Sequence, residues 1–454
     1  LSRGLGDVYK RQGLSSCQIG KSYTRPDMPL PARLDTLTQD TASIGDLSWW
    51  ELYNDTTLQQ LIHRALTYNK DLKIASARMN ELAALKRIDF ANMFPQATAR
   101  LNGNRETTNY GGDNFDADPE LSLTASISWE LDLWGNLRWA RDHSTAGFLA
   151  SVENCRAVKM GLVAQVAQSY FELMALDNEL AIVRRTLEAR REGVRLAEIR
   201  FKGGLTSEIV FQQAKVELAK TATMVPDLER RISLKESEIA LLTGDFPYAV
   251  NRNVLPEEIQ LPDALPLGLP STLLERRPDI RKAERELMAA HAEVGLAYTN
   301  MFPRLALTAT LGAESETLRD LLKSPYSYLA GNLLSPLFAM GKNRAALKAK
   351  RAAYEGAVAE YEKTVLTAFK ETHNAIINFN KIKDIYESRR QLAEASRTAV
   401  ELAQLQYING VIGYLDLLDA QRNYFDAQVS LSNAVCNKQL MIINLYKALG
   451  GGWK

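Results

Sequence analysis

Cysteine is scarce in this chain: Cys17, Cys155 and Cys436 are the three in 454 residues. Three thiols make no disulfide framework, and none stands in a CxxC or zinc spacing, so a stapled secreted scaffold and a structural zinc fold are both excluded. Net charge is nearly absent as well, with 55 basic and 54 acidic residues leaving +1. That balance lacks the positive footprint of a nucleic-acid binder and the basic stripe of a lipid-surface protein, so no nucleic-acid partner is expected. No uncharged apolar run reaches the ~18 residues of a membrane-crossing helix. The four histidines, His63, His143, His291 and His373, are scattered without i,i+4 pairing, and the ten methionines are unclustered. Metal ligation and a copper-specific role therefore have no sequence signal. GxSxG, GxxxxGK[ST] and HExxH are missing, and no paired-carboxylate site takes their place, so neither enzyme chemistry nor a cofactor is expected.

What the chain does have is itself, twice. Asn92-Met93-Phe94-Pro95 recurs as Asn300-Met301-Phe302-Pro303, an offset of about 208 residues. At the same offset Asn69-Lys70-Asp71 faces Arg277-Pro278-Asp279. Further on the offset is about 206: Leu133-Trp134-Gly135 faces Ala339-Met340-Gly341, Gly204 falls on Gly410, and Leu242-Thr243-Gly244 meets Ala448-Leu449-Gly450. One offset held over two hundred residues is an internal duplication.

Each half reads in one order. A helix rich in Ala, Leu, Glu, Lys and Arg (57–92 and 272–301) ends before a Phe-Pro pair, since proline disfavours helical geometry in the residue before it. Two alternating stretches follow. Leu121, Leu123, Ala125, Ile127 and Trp129 lie opposite Ser122, Thr124, Ser126 and Ser128, and Leu305, Leu307, Ala309 and Leu311 opposite Ala306, Thr308, Thr310 and Gly312; period two with one apolar face predicts half-buried strands. Stretches 97–106 and 326–338 are their weaker partners. After Gly135 and Gly341 the chain is helical for some 65 residues without proline, and Tyr354, Val358, Tyr361, Val365, Phe369, Ile376, Phe379, Ile382 and Tyr386 hold one stripe in the second of these. Such a helix spans ~100 Å at 1.5 Å per residue, which predicts an extended, coiled-coil-like element. Glycine-containing turns then send return helices back over 205–243 and 412–447. The expected organisation is a leader remnant and lipidation region (1–22), an N-terminal equatorial segment (23–56), the first repeat (57–243), an equatorial linker with five prolines (244–271), the second repeat (272–449) and a tail (450–454).

Four strands cannot close a barrel, because about eight are needed for the narrowest one. Three copies bring twelve, an even number that encloses a water-filled lumen, with lipid on the apolar face and water on the Ser/Thr face. The expected fold is therefore mainly α with a small β-barrel portion: a long α-helical barrel plus four strands per chain, trimerising into a twelve-stranded transmembrane barrel. Trp129, Trp134, Trp139, Tyr326, Tyr328, Phe94, Phe302 and Phe338 cluster near strand ends, where aromatic belts belong. The competing reading is a coiled-coil scaffold with a small soluble β-subdomain.

Several motifs carry a closer likeness: Arg276-Arg277-Pro278-Asp279-Ile280, the paired Phe-Pro sites, Trp129-Glu130-Leu131-Asp132-Leu133-Trp134-Gly135, Leu417-Leu418-Asp419-Ala420-Gln421 and the ending Leu445 to Trp453. From about residue 23 onward the chain resembles the TolC-like outer-membrane efflux protein family, in its OprM- and CusC-like lipoprotein branch. The resemblance implies an exit duct: a homotrimer in the outer membrane with a long periplasmic portion, docked onto a periplasmic adaptor and an inner-membrane pump that supplies the energy. It also bears on Leu14-Ser15-Ser16-Cys17, which looks like the end of a lipoprotein signal. Cys17 becomes the expected lipidation site and Gln18 fits outer-membrane sorting, although Arg3, Asp7, Lys10 and Arg11 interrupt the place of an apolar leader core. Residues 1–12 are accordingly read as a truncated or foreign leader.

The turn from Tyr407 to Asp419 is the expected periplasmic tip, where family members narrow to a gate. Asp416 and Asp419 are three apart and share a helix face, so three copies would ring a pore with six carboxylates and favour cations. Acids in the first turn of a helix are also favoured by its dipole, whatever their function. Tyr407 and Asp419 match gate positions of the family, but Ile408 and Val210 stand where family members carry a basic and an acidic gate residue.

Overall fold

The computed structural model describes residues 19–29, 43–52, 55–108, 116–253 and 270–453. In chain order the elements are α1 (Trp49–Leu52), α2 (Thr56–Tyr68), α3 (Lys70–Ala91), β1 (Gln96–Thr108), β2 (Asp116–Leu131), α4 (Asn136–Lys202), α5 (Glu208–Thr243), α6 (Pro270–Arg276), α7 (Pro278–Thr299), β3 (Arg304–Ser315), β4 (Pro325–Leu334), α8 (Lys342–Ile408) and α9 (Tyr414–Ala448). The fold is mostly helical with one four-stranded sheet. Helices α4 and α8 have 67 residues each, and the return helices α5 and α9 have 36 and 35.

Both long opening helices differ from expectation, because each is broken once. Asn69 leaves the helical region (ψ 134°), donates from Nδ2 to the Leu242 carbonyl at 3.0 Å, and caps the new start by accepting from the Leu72 amide at 3.0 Å. In the second half Pro278 forces the break at Arg277, whose Nη1 donates to the Ala448 carbonyl at 3.2 Å. Asn69 with Leu242 and Arg277 with Ala448 are the same contact made twice, at offsets 208 and 206. The return helices end alike too. Gly244 and Gly450 hold φ of +78° and +84°, and a Cβ on Gly244 would stand 2.5 Å from the Tyr68 carbonyl oxygen. No other residue type combines that conformation with that approach.

The chain divides into two compact units. One gathers described residues 29, 43–76, 153–253, 270–281 and 364–453. Its core is built from Leu58, Ile62, Val166, Tyr170, Leu173, Ile239, Leu273, Ile376, Ile443 and Leu445, all nearly sealed from solvent. Arg277 is buried there with compensation, held by Asp279 (2.7 Å) and Glu371 (2.7 Å). Arg252 forks onto Asp177 (2.5 and 2.9 Å) and also pairs with Glu236.

The other unit gathers described residues 19–28, 77–152 and 282–363. It carries the sheet, an antiparallel meander in the order β1-β2-β3-β4 with β1 and β4 at open edges. Pairing across it aligns Leu101 with Leu123, Ile127 with Ala309 and Leu307 with Gly331, so one face is apolar from edge to edge. On the opposite face Ser126 and Thr310 share a hydrogen bond of 2.9 Å. Along the central strands β2 and β3 the apolar face is the more open one: Ile127 is 53% and Leu311 68% exposed, whereas Ser122 is buried. β4 stops at Leu334 rather than running to Phe338, since Pro336 has no amide to donate.

The aromatics separate into different roles. Trp139 is buried and donates to the Ile19 carbonyl at 3.0 Å, tying residues 19–20 to the start of α4. Trp134 packs on Phe302 with ring centroids 5.3 Å apart. Tyr328 and Tyr326 pair with Thr310 and Gly312, which sets them on the polar face. Of the expected belt, Trp139, Tyr326 and Tyr328 thus stand away from the apolar face, the first by burial and the other two by register.

Candidate functional site

The ends of the long helices are finished by the same turn. Gly204 (φ +71°) and Gly410 (φ +75°) each close a helix with a paired cap: Leu205 donates to the Arg200 carbonyl and Val411 to that of Gln406, both at 2.9 Å. This is the left-handed ending that glycine permits, and it reverses the chain within a few residues. The two hairpins, α4–α5 and α8–α9, are then tied to each other by arginines.

Arg200 from α4 stands over the Tyr407 ring at 4.6 Å and donates to the Tyr407 carbonyl at 3.3 Å. The Tyr407 ring also meets that of Tyr414, with centroids 5.8 Å apart. Deeper in the bundle Glu217 of α5 is buried. It pairs with Arg422 of α9, while Arg190 of α4 lies 3.9 Å from its second oxygen. Arg190 is itself 7% exposed and donates to Gln421 Oε1 at 2.5 Å. The Arg422 hydrogen bond holds the Glu217 carboxyl below the usual carboxylate range, against the opposing push of burial. Burial lowers the Arg190 guanidinium, with Glu217 acting the other way. One carboxylate between two guanidinium groups thus joins three helices.

Asp416 and Asp419 come together, as their spacing requires. Both are exposed, and they line an open hollow of about 390 Å³ with Ala395, Ser396, Ala399, Ala420 and Asn423. Asp416 has a structural task there, its Oδ2 accepting from the Gly413 amide at 3.0 Å and so capping α9. Asp419 accepts from Asn423 Nδ2 at 3.2 Å and has no capping duty in that arrangement. Tyr407 is not part of this hollow; it belongs to the Arg200 contact. Cys17 lies outside the described residues. Sequence reasoning missed Arg190, Glu217 and Arg422. The available signal was a charge on an apolar stripe, because Glu217 falls in helical register with buried Ala214 and Thr221.

Known proteins match along nearly the whole chain. The family model for Outer membrane efflux protein matches twice, over residues 61–245 and 269–451, as the duplication demands. Outer membrane protein OprJ of Pseudomonas aeruginosa is 31% identical over 456 residues, covering 97% of this chain and 94% of its own. A probable outer membrane lipoprotein of Salmonella typhimurium, SilC, is 28% identical over 450 residues, covering 97% and 96%. The solved structure of the outer-membrane channel OprN superposes with a TM-score of 0.88 at 30% identity, covering 96% of this chain and all of that one.

Proposed function

The chain belongs to the outer membrane efflux protein family and is an efflux channel of the outer membrane, and from that premise we propose that it works as a homotrimeric exit duct gated at its helix tips. The observation that carries the trimer is the uncovered apolar face of a sheet with two open edges. A lone four-stranded sheet would expose both its apolar face and its unpaired edge amides. Three copies pair β4 of one protomer with β1 of the next, leave no edge, turn the Leu and Ile face to lipid and enclose the Ser and Thr face as a wet lumen.

Small molecules or ions pass through such a tube without chemistry. A periplasmic adaptor and an inner-membrane pump are the expected partners, and the pump drives the flux. Lipidation of Cys17 is part of this reading; support comes from the name of its relative SilC and from Ile19 and Gly20, which lie against Trp134 and Trp139 two residues beyond the thiol. At the tips, Asp416 and Asp419 from three copies would form a carboxylate ring, with Asp419 the residue free of capping work. In planar bilayers Asp419→Ala is expected to raise single-channel conductance and to lower preference for cations. Unchanged conductance together with unchanged selectivity would remove Asp419 from the gate. Native mass spectrometry of the detergent-extracted protein is expected to read three copies, and any other number ends the twelve-strand barrel.

A further inference from the structure

Where the second half passes from sheet to helix, a cavity of about 620 Å³ opens between α7 and the start of α8. Its apolar lining includes Leu296, Phe302, Leu334 and Pro336, and its charged lining includes Arg304, Lys342 and Lys350. Phe302 is a fixed wall, because Trp134 packs on it with ring centroids 5.3 Å apart and Tyr298 meets it edge-on at 5.4 Å. Lys350 is matched by Glu293 at 2.7 Å, which leaves two cations of the cavity without an acid. Arg304 uses one of its donors on Asn300 Oδ1, at 2.6 Å, and pairs with no carboxylate among the described residues. The Lys342 ammonium meets no acceptor among them either, and it is exposed.

The duplication shows that these charges are not part of the scaffold. At the offsets of about 208 and 206, the counterparts of Arg304, Lys342 and Lys350 are Gln96, Asn136 and Ser144, all neutral. The first half therefore builds the same strand, turn and helix without them. Two placements agree on where the cavity faces. Arg304 alternates with Leu305, so it shares its side of β3 with Thr308 and Thr310, and Leu334 stands directly opposite it in the ladder. On α7, Glu293, Ala297 and Asn300 line the cavity, whereas His291, Gly295 and Tyr298 line a separate hollow with residues 19–22 and Thr24. With about 3.6 residues per turn, those two sets lie on opposite sides of the helix. The cavity thus opens on the Ser and Thr side, which is the lumen of the trimeric duct, and away from the N-terminal residues.

We propose that this cavity binds amphipathic anions in transit, molecules with one sulfonate, sulfate or carboxylate head on an apolar body. Such a head matches the free donors of the Arg304 guanidinium, and Lys342 brings a second positive charge to it. The body then covers Phe302, Leu334 and Pro336; Leu334 is 74% exposed, so its burial by a ligand removes apolar surface from water. A cation with the same body is excluded by charge, because Arg304, Lys342 and Lys350 outnumber Glu293. A site inside a conducting tube must release what it binds, and an open cavity with solvated cations exchanges its occupant quickly. The phosphate of a membrane lipid has the same chemistry as the soluble head groups, and the experiment separates the two sources. This inference rests on the duct reading and names a class of cargo for it.

The test uses the full-length chain in planar bilayers of zwitterionic lipid, with octanesulfonate as the soluble probe. Salt is held at ~1 M, where diffuse charge is screened within ~3 Å and direct contact is what remains. Octanesulfonate is expected to block the current and octyltrimethylammonium to leave it unchanged. Ethanesulfonate should block far more weakly, because each methylene taken from a buried body costs up to about fourfold in affinity. The double variant Arg304→Gln/Lys342→Asn carries the first-half residues at two exposed positions, so it leaves the core intact. It should weaken the octanesulfonate block by roughly tenfold or more. A photoreactive aryl azide sulfonate on the detergent-extracted channel should label peptides within 296–304 and 334–350. Unchanged block in the double variant, or label elsewhere, would overturn the site and leave the duct standing. A native chain that passes no current would overturn the duct reading, and the label would then decide the site alone. Protection of the label by phosphatidylglycerol but not by octanesulfonate would assign the cavity to membrane lipid and overturn transit.

Discussion

Glu217 brings its charge into a nearly dry position between Arg190 and Arg422. Removing that charge leaves one buried and one half-exposed guanidinium facing a neutral amide, which costs roughly 2–3 kcal/mol in comparable arrangements. Glu217→Gln is therefore expected to lower stability by about that amount at neutral pH, read by chemical denaturation with a reporter near the tips. The pH dependence has a definite sign. The folded carboxyl titrates below its ordinary range, so its contribution is complete above that range and fades as pH falls through the folded value. The gap between the native chain and Glu217→Gln should therefore begin to narrow only once pH falls below the ordinary glutamate range, and close as it passes through the lower folded value. A gap that persists in acid would show that packing, not the ion pair, carries the effect. Asp416 differs in kind from Asp419 at this scale, since one oxygen of Asp416 is committed to the start of α9.

Among the elements, the sheet has the sharpest two-sidedness. Leu311 and Thr310 are adjacent in β3, yet one points to the uncovered apolar face and the other to the face bearing the Ser126 hydrogen bond. A charge on a lipid-facing strand position near the bilayer centre costs ~2–4 kcal/mol, while a lumen-facing charge is solvated. Leu311→Arg is thus expected to reduce the heat-resistant assembled form in outer membranes strongly. Thr310→Arg should assemble normally and shift ion selectivity toward anions. Equal damage from both would mean that the sheet has no wet side. The long helices are governed by a different rule: Tyr361, Val365, Ile376, Phe379 and Ile382 of α8 are all buried, so the apolar stripe is what holds a 67-residue helix against its neighbours.

For the whole molecule, stability and assembly are one quantity, because a protomer that leaves β1 and β4 unpaired is incomplete. The unfolding midpoint in detergent is expected to rise with protein concentration, by about 1.4 kcal/mol of apparent stability for each tenfold step per added subunit. A midpoint independent of concentration would mean that the folded unit is a single chain. Much of this molecule is written in local pattern. The duplication, the period-two strands, the proline-free helices and the glycine turns each depend on backbone preferences and on which side of an element is apolar, and such preferences act over a few residues. Asp416 and Asp419 were legible as a pair for the same reason, three residues being nearly one helical turn. The break at Asn69 was not legible, because it is stabilised by a carbonyl about 170 residues away, at Leu242, whereas the break at Arg277 had a local signal in Pro278 and only its partner, the Ala448 carbonyl, did not. Nor was the Arg190–Glu217–Arg422 cluster, or the fate of Trp134, Trp139, Tyr326 and Tyr328, since burial and strand register assign those partners across the chain. The sequence alone determined which elements form and how often they repeat; the tertiary structure decided which charged and aromatic side chains meet, because contact over long separations depends on packing that no local pattern contains.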